Sequence, residues 1–194
     1  MYPCPMKACL GPGIVPAAAA LVCLAFGLAA FTPSVAQTTG KDNMQITSTA
    51  FGDGAPIPAR YTGDGQDVSP PLKFSNVPEG TRSLALIADD PDAPVGTWVH
   101  WVLYNLPSSV AELAEEVPKT KTIAAGASQG LNDFHRLGYG GPSPPPGKPH
   151  RYFFRLYALD KTLELKPGAT RKELDRAMAG HILQQAQWMG TYQR

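Results

Sequence analysis

The residues in this sequence that are best suited to chemistry are two histidines, each preceded by a turn rich in proline. His100 follows the acidic segment 89–94, Asp-Asp-Pro-Asp-Ala-Pro, and His150 follows the proline-rich segment 140–147. Imidazoles and carboxylates exchange hydrogen bonds, and imidazoles change charge near neutral pH. Proline already restricts φ, so such turns cost little entropy to hold. The repeated combination predicts a small polar pocket with two imidazoles, a carboxylate and backbone donors.

Each histidine stands at the start of a segment that is typical of a β-strand. Residues 98–105 and 151–160 are rich in aromatic and β-branched side chains and are bounded by proline or glycine. Because side chains alternate along a strand, each strand should have one face that carries its histidine. In the first strand this face holds Trp98, His100, Val102 and Tyr104, and the opposite face holds Val99, Trp101 and Leu103. In the second strand the histidine face holds His150, Tyr152, Phe154 and Leu156. Two such strands side by side would place both imidazoles at one rim of a sheet.

The remaining elements indicate a mostly β protein. Residues 44–51 alternate, residues 72–74 are a short strand at best, and the apolar run 83–88 suits a strand buried on both faces. Residues 181–192 are consistent with either helix or strand. With 20 prolines and 19 glycines between short strands, we expect an antiparallel β-sandwich.

One or two short helices are also predicted. Thr170 and Glu173 form a capping-box pattern, Leu174 and Met178 follow at helical spacing, and Gly180 ends the segment. A weaker helix is predicted over residues 110–116.

Residues 1–36 have the pattern of a secretory signal peptide. Lys7 precedes a stretch of about 18 apolar residues that ends at Phe31, a length that would also serve as an uncleaved anchor. Small residues precede a possible cleavage site after Ala36. We expect cleavage there, a flexible tail over 37–43, a folded domain over 44–194, and a periplasmic or secreted location. Either Met1 or Met6 could be the true start.

The composition of the mature segment excludes some partners. All three cysteines lie within residues 1–36, so the expected mature chain has no thiol. Without Lys7 it has 16 basic and 16 acidic residues, with no basic run, and nucleic acid is not expected as a main partner. A chain of roughly 158 residues is long enough for one domain with a sizeable core.

Ordinary structural roles compete with the pocket hypothesis. A histidine in an aromatic strand is often a structural residue. Asp90 and Asp92 could simply stabilise their turn, and the proline-rich segment could be a rigid linker or a polyproline ligand. The duplication of the loop and histidine favours the pocket.

At these residues the chain resembles a known family. Asp90-Pro91-Asp92-Ala93-Pro94 with His100-Trp101, and Gly141-Pro142-Ser143-Pro144-Pro145 with His150-Arg151-Tyr152, are similar to the two signatures of the phosphatidylethanolamine-binding protein family. The terminal Gly190-Thr191-Tyr192 resembles its bacterial, Raf-kinase-inhibitor-like branch. The resemblance extends over about residues 44–194. It implies a β-sandwich-like fold of two antiparallel sheets, with a strand over much of 181–192.

The resemblance also implies a small anion pocket for phosphate-type head groups. Its ligand-binding residues would be Asp90, His100, Gly141, Pro142, Pro144, Pro145, His150 and Tyr152, while Asp92 and Pro94 would hold the turn. Two positions depart from the family pattern. Ser143 stands where bacterial relatives often have a cysteine, and His135 occupies a position that is often small. His135 could lie near the pocket mouth or be a solvated loop residue.

These observations favour reversible binding of a small anionic or zwitterionic ligand, with no catalysis, cofactor or metal. The alternative is an inhibitor or modulator of an unknown partner protein, acting through the pocket rim. Metal catalysis by the two histidines and a carboxylate lacks short ligand spacing. Serine hydrolysis at Ser143 lacks a nucleophile elbow and an obvious base. A homodimer is possible, by resemblance to bacterial members.

Overall fold

The computed structural model describes residues 43–194, and they form two antiparallel sheets, one α-helix and a short 3-10 helix, Ala59–Tyr61. The strands are β1 Gln45–Thr47, β2 Leu72–Ser75, β3 Ser83–Asp90, β4 Trp98–Pro107, β5 Glu112–Leu113, β6 Ser128–Gln129, β7 His150–Leu159 and β8 Ile182–Tyr192, and the helix is α1 Arg171–Met178. The smaller sheet has the order β1-β2-β5 and the larger β6-β4-β3-β7-β8. The signal peptide expected over 1–36, and the tail expected over 37–43 apart from Asn43, lie outside the described residues. Among residues 43–194, no helix has the length and apolar character needed to cross a membrane.

β3 lies at the centre of the larger sheet, and all of its residues are buried. On one face, Leu84 and Leu86 pack in a core between the two sheets, with Leu72 of β2 and Leu156 of β7. On the other face, Ala85 and Ile87 join a second core that includes residues of α1. The continuous apolar run in the sequence correctly predicts this burial on both faces.

The helix α1 begins at a complete capping box. The side chain of Thr170 accepts a hydrogen bond from the backbone N–H of Glu173, whose carboxylate accepts one from the N–H of Thr170 at 2.7 Å. Leu174 and Met178 are the buried residues of the helix. These bonds satisfy amides that a helix start would otherwise leave unpaired, and the predicted helix is confirmed.

Other predicted elements differ in extent or type. Residues 181–192 are a strand over β8, as the family resemblance implies, and the first strand is shorter than residues 44–51. The helix predicted over residues 110–116 is wrong. There, Glu112 and Leu113 pair with Lys73 and Leu72 at the edge of the smaller sheet. Tertiary pairing outweighs a weak local helix preference.

The strict alternation predicted along β4 is also wrong, because β4 contains an extra residue at His100. Ala88 of β3 pairs with Trp101 and Asp89 pairs with Val99, so His100 has no partner on β3. Neighbouring residues of β3 thus pair with residues of β4 that are two positions apart, and the extra residue between them makes a β-bulge. As a result, Trp101 and Leu103 face the core between the sheets, with Leu84 and Leu86, whereas Val102 and Tyr104 face the second core.

Candidate functional site

A cavity of about 240 Å³ opens where β3 ends and where β4 and β7 begin. Its polar side chains come from these strand ends: Asp90, His100, His150 and Tyr152. Its rim is apolar, formed by Ala93, Pro94 and Val95 from one loop, by Trp98 and Phe134, and by Pro144 and Pro145 from the proline-rich loop. Ser143 also lines it. The antiparallel order of the sheet brings the two predicted turns to this one place.

His100 is aimed into the cavity by the bulge in β4. Its ring meets the ring of Tyr152 edge-on at 5.2 Å between centroids, although Val102, two residues later, lies in the second core. Its Nδ1 donates a 2.6 Å hydrogen bond to the carbonyl oxygen of Gly140. Burial lowers the pKa of His100; the bond to Gly140 and the negative charge of Asp90 oppose that effect without cancelling it.

Asp90 connects the first turn to the second histidine. Its Oδ2 accepts a 2.8 Å hydrogen bond from Nδ1 of His150, and its Oδ1 accepts one of 2.8 Å from the backbone N–H of Asp92. Asp90 is 3% exposed and His150 is 9% exposed. Asp90 therefore supports both the turn and the cavity.

The hydroxyl of Tyr152 is buried at the cavity floor and forms no hydrogen bond of normal geometry with the described residues, although the Asp90 carboxylate is close enough to affect it. Burial raises the pKa of Tyr152 well above its ordinary value, and the nearby Asp90 carboxylate adds to the effect through its charge and its interaction with the hydroxyl. The hydroxyl is therefore protonated and able to donate a hydrogen bond. A buried polar group without a partner is unusual in a folded protein and indicates a place for a ligand or a water molecule.

Asp92 holds the first turn against β7. Its carboxylate accepts two hydrogen bonds from the guanidinium of Arg151, at 2.8 and 2.7 Å, and one of 3.0 Å from the backbone N–H of that residue. The Arg151 side chain lowers the pKa of Asp92 to about 2. This geometry fits the turn-holding role expected for Asp92, whereas Pro94 lies on the cavity rim.

Gly141 and Pro142 support the wall of the cavity from behind. The N–H of Gly141 donates to Oδ1 of Asp67 at 2.6 Å, and the carbonyl of Pro142 accepts from the N–H of Gly63 at 2.7 Å. A Cβ at Gly141 would lie 2.6 Å from the carbonyl oxygen of Tyr61, so only glycine fits there. Neither residue lines the cavity, although Pro144 and Pro145, predicted with them, do.

Phe134 is the main cavity residue that sequence reasoning missed. Its ring lies edge-on to His100 and to Trp98, with centroids 5.3 and 5.4 Å apart. The side-chain oxygen of Asn132 holds this loop by accepting from the N–H of Phe134 at 3.1 Å. The asparagine turn was the available signal, but the sequence does not show which strand end the turn approaches.

His135 does not reach the cavity. It is exposed, has a φ of 58°, and lines a separate surface depression with Thr170 and Arg171. The structure therefore places it with the solvated loop residues. Among residues 43–194, no group of three or more His, Cys, Asp or Glu side chains has the arrangement of a metal site.

Comparisons of the sequence and the structure with known proteins point to the same family. The family model described as phosphatidylethanolamine-binding protein matches residues 47–193. A protein of the UPF0098 group from Methanothermobacter thermautotrophicus is 50% identical over 151 residues, which are 78% of this chain and 99% of the relative. Another, from Aquifex aeolicus, is 51% identical over 153 residues, 78% of this chain and 89% of that protein.

Two solved structures have the same fold. A putative phosphatidylethanolamine-binding protein homolog from Chlamydia trachomatis superposes with a TM-score of 0.73 at 46% identity, covering 79% of this chain and 99% of the homolog. Escherichia coli YbcL, described as a member of the mammalian family, has a TM-score of 0.73 at 32% identity, with 78% and 99% coverage.

Proposed function

Since this chain belongs to the phosphatidylethanolamine-binding protein family, and its cavity has a polar floor beneath an apolar rim, we propose that it binds small phosphate-bearing ligands without converting them. The ligand class comprises free anions and zwitterionic head groups such as phosphoethanolamine. The apolar rim would shelter the ligand from water, which strengthens polar interactions at the floor.

The unpartnered polar atoms at the floor are the observation that carries this proposal. The hydroxyl of Tyr152 has no partner, and the imidazoles of His100 and His150 use Nδ1 for the protein. In each ring Nε2 is the nitrogen left for the cavity. Buried polar atoms without partners are costly, and a phosphate group can satisfy both kinds, because its ionised oxygens accept hydrogen bonds and its P–OH group donates one.

The position of Ser143 supports binding rather than hydrolysis. It is the only serine, threonine or cysteine among the residues that line the cavity, and it is exposed. Among the hydrogen bonds of residues 43–194, none joins its hydroxyl to an imidazole or a carboxylate. A serine nucleophile needs such a base to be activated.

Titration calorimetry with inorganic phosphate and with phosphoethanolamine tests the proposal. We expect binding to the wild-type chain and a loss of at least about tenfold in affinity for His150→Ala, because a buried polar contact is removed. His181→Ala is the control, since His181 pairs with Asp160 outside the cavity. No heat with either ligand at millimolar concentration, and no NMR shift of the His100 or His150 resonances, would exclude this function.

A second candidate is modulation of a partner protein through the rim. Val95 lines the cavity mouth, is 79% exposed and adjoins the apolar rim formed with Pro94 and Pro145, so the rim presents an apolar surface to a partner. If residues 1–36 direct export, the partner would be extracytoplasmic. Pull-down from that fraction with wild type and with Val95→Ser tests this function. Loss of a partner with Val95→Ser supports it, and an unchanged or empty pull-down rejects it.

A further inference from the structure

The hydrogen bonds that position the two imidazoles also determine what their other nitrogen presents to the cavity. The carbonyl of Gly140 can only accept, so Nδ1 of His100 carries the proton in the bond between them. Nδ1 of His150 likewise donates to the carboxylate of Asp90. In the neutral form of each ring, Nε2 therefore carries no proton, and its lone pair makes it a hydrogen-bond acceptor.

The surroundings of His100 favour this neutral form. The ring is 4% exposed, and burial lowers its pKa even though Asp90, Asp133 and Asp89 act in the opposite direction. Asp89 is itself paired with two arginines of the neighbouring elements, Arg155 and Arg171. The titratable neighbours on β7 are His150 and Tyr152, and Tyr152 stays neutral.

The cavity therefore has little positive charge to offer an anion. Its lining residues include the carboxylate of Asp90 but no lysine or arginine. A fully ionised oxyanion would meet the lone pair of His100 with no proton between them. An anion that brings its own proton turns the same contact into a hydrogen bond.

Building on the proposed function, we propose that the site selects a phosphate-type monoanion that retains a P–OH group, with Nε2 of His100 accepting the hydrogen bond from that group. His100 is then the residue that distinguishes a phosphate monoester from a sulfate monoester, which has the same shape and charge but no proton.

The other polar groups at the floor complement this arrangement. The hydroxyl of Tyr152 donates to an unprotonated phosphate oxygen. His150 is held against the Asp90 carboxylate through its Nδ1. The acceptor of His100 and the donor of Tyr152 match the P–OH group and one of the two oxygens that share the negative charge of a phosphate monoester monoanion.

Methyl phosphate and methyl sulfate are the matched probes. At about pH 5.5 most methyl phosphate is the monoanion, so the two esters differ only in the proton. We expect calorimetry to show methyl phosphate binding at least about tenfold tighter, because methyl sulfate leaves the acceptor of His100 unsatisfied. At about pH 8, binding of methyl phosphate should take up about one proton per ligand, measured in two buffers of different ionisation enthalpy.

The outcomes separate this inference from the proposed function. Equal affinity for the two esters, or binding of methyl phosphate at pH 8 without proton uptake, overturns the inference and leaves phosphate binding intact. Preference for methylammonium over both esters, or binding of none of the three, overturns both. His100→Gln replaces the imidazole with an amide that can donate a hydrogen bond to either ester. The ratio of the affinities for methyl phosphate and methyl sulfate should therefore fall severalfold in His100→Gln and stay unchanged in His181→Gln. The wild-type comparison remains decisive if His100→Gln does not fold.

Discussion

Asp90 and His150 form a buried pair in which Oδ2 of the carboxylate lies 2.8 Å from Nδ1 of the ring. Asp160 and His181 form the same pair at 2.9 Å, but both side chains are more than one-third exposed. The chain therefore contains an internal comparison between one interaction in two environments. Burial makes the loss of one partner more costly, because the remaining group cannot turn to water.

Replacing Asp90 should therefore destabilise the protein more than replacing Asp160. For Asp90→Ala we expect a decrease of about 1–3 kcal/mol in the free energy of unfolding, since His150 loses its buried acceptor. For Asp160→Ala, which removes an exposed pair, we expect no more than about 1 kcal/mol. Urea denaturation of both variants measures the difference. Equal losses would show that the Asp90 pair is solvated.

Tyr152→Phe should weaken binding without weakening the fold. It removes a hydroxyl that forms no hydrogen bond of normal geometry within residues 43–194, so we expect an unchanged or slightly higher melting temperature and about tenfold weaker phosphate binding. Tyr139→Phe is the contrasting variant, since the Tyr139 hydroxyl donates to the carbonyl of Tyr61 at 2.7 Å. It should lose about 1 kcal/mol of stability. A marked loss of stability in Tyr152→Phe would reveal a structural role for that hydroxyl.

Gly141→Ala should disturb the wall behind the cavity. The added Cβ would lie 2.6 Å from the carbonyl oxygen of Tyr61 and 2.7 Å from Cα of Thr62, both of which are backbone atoms. We expect a loss of about 1–3 kcal/mol in unfolding free energy, as for other overpacked sites. Gly52→Ala is the control, because its nearest contact would be 3.7 Å. Calorimetric melting compares them, and equal stabilities would contradict the close packing.

The titration of Asp92 should depend on Arg151. Its pKa is lowered to about 2 by the hydrogen bonds from that guanidinium, from a usual value of 3.8. A lowered folded-state pKa contributes stability above the unfolded value, and that stability is lost as pH falls from about 4 towards 2. Carbon NMR of the carboxyl group should give a midpoint near 2 in the wild type and closer to 3.8 in Arg151→Met. An unshifted midpoint in Arg151→Met would place the cause elsewhere. Lys148→Met is the control.

Local patterns predicted the elements whose signal lies within the element itself. The capping box at Thr170 and the apolar run of β3 are local features, and both elements appear where predicted. Residues 110–116 failed because the partner that makes Glu112 and Leu113 a strand is β2, some forty residues earlier. No local pattern contains that information.

The site residues, like the secondary-structure elements, were predictable where the signal is local and not where it depends on distant parts of the chain. The motifs singled out both histidines and Asp90, because their chemistry and spacing can be seen in the sequence, and all three line the cavity. Phe134 could not be assigned, since its place beside His100 depends on how the loop after β6 folds back to the strand ends. The bulge was also hidden, because an extra residue in a strand has no distinct composition, and it reversed the predicted facing of Trp101 and Val102.

The bulge at His100 makes the pocket sensitive to the length of β4 as well as to its composition. Removing one residue between Val99 and Trp101 would restore regular pairing beside Ala88 and Asp89, although the second register shift beside Leu84 and Leu86 would remain, and the imidazole at the cavity floor would be gone. A substitution at His100 removes the imidazole and leaves the bulged backbone in place, whereas a single-codon deletion would remove the imidazole and the bulge together. Among homologous chains, an alignment gap at this position would therefore mark a protein that keeps the fold and has lost the β4 side of the pocket.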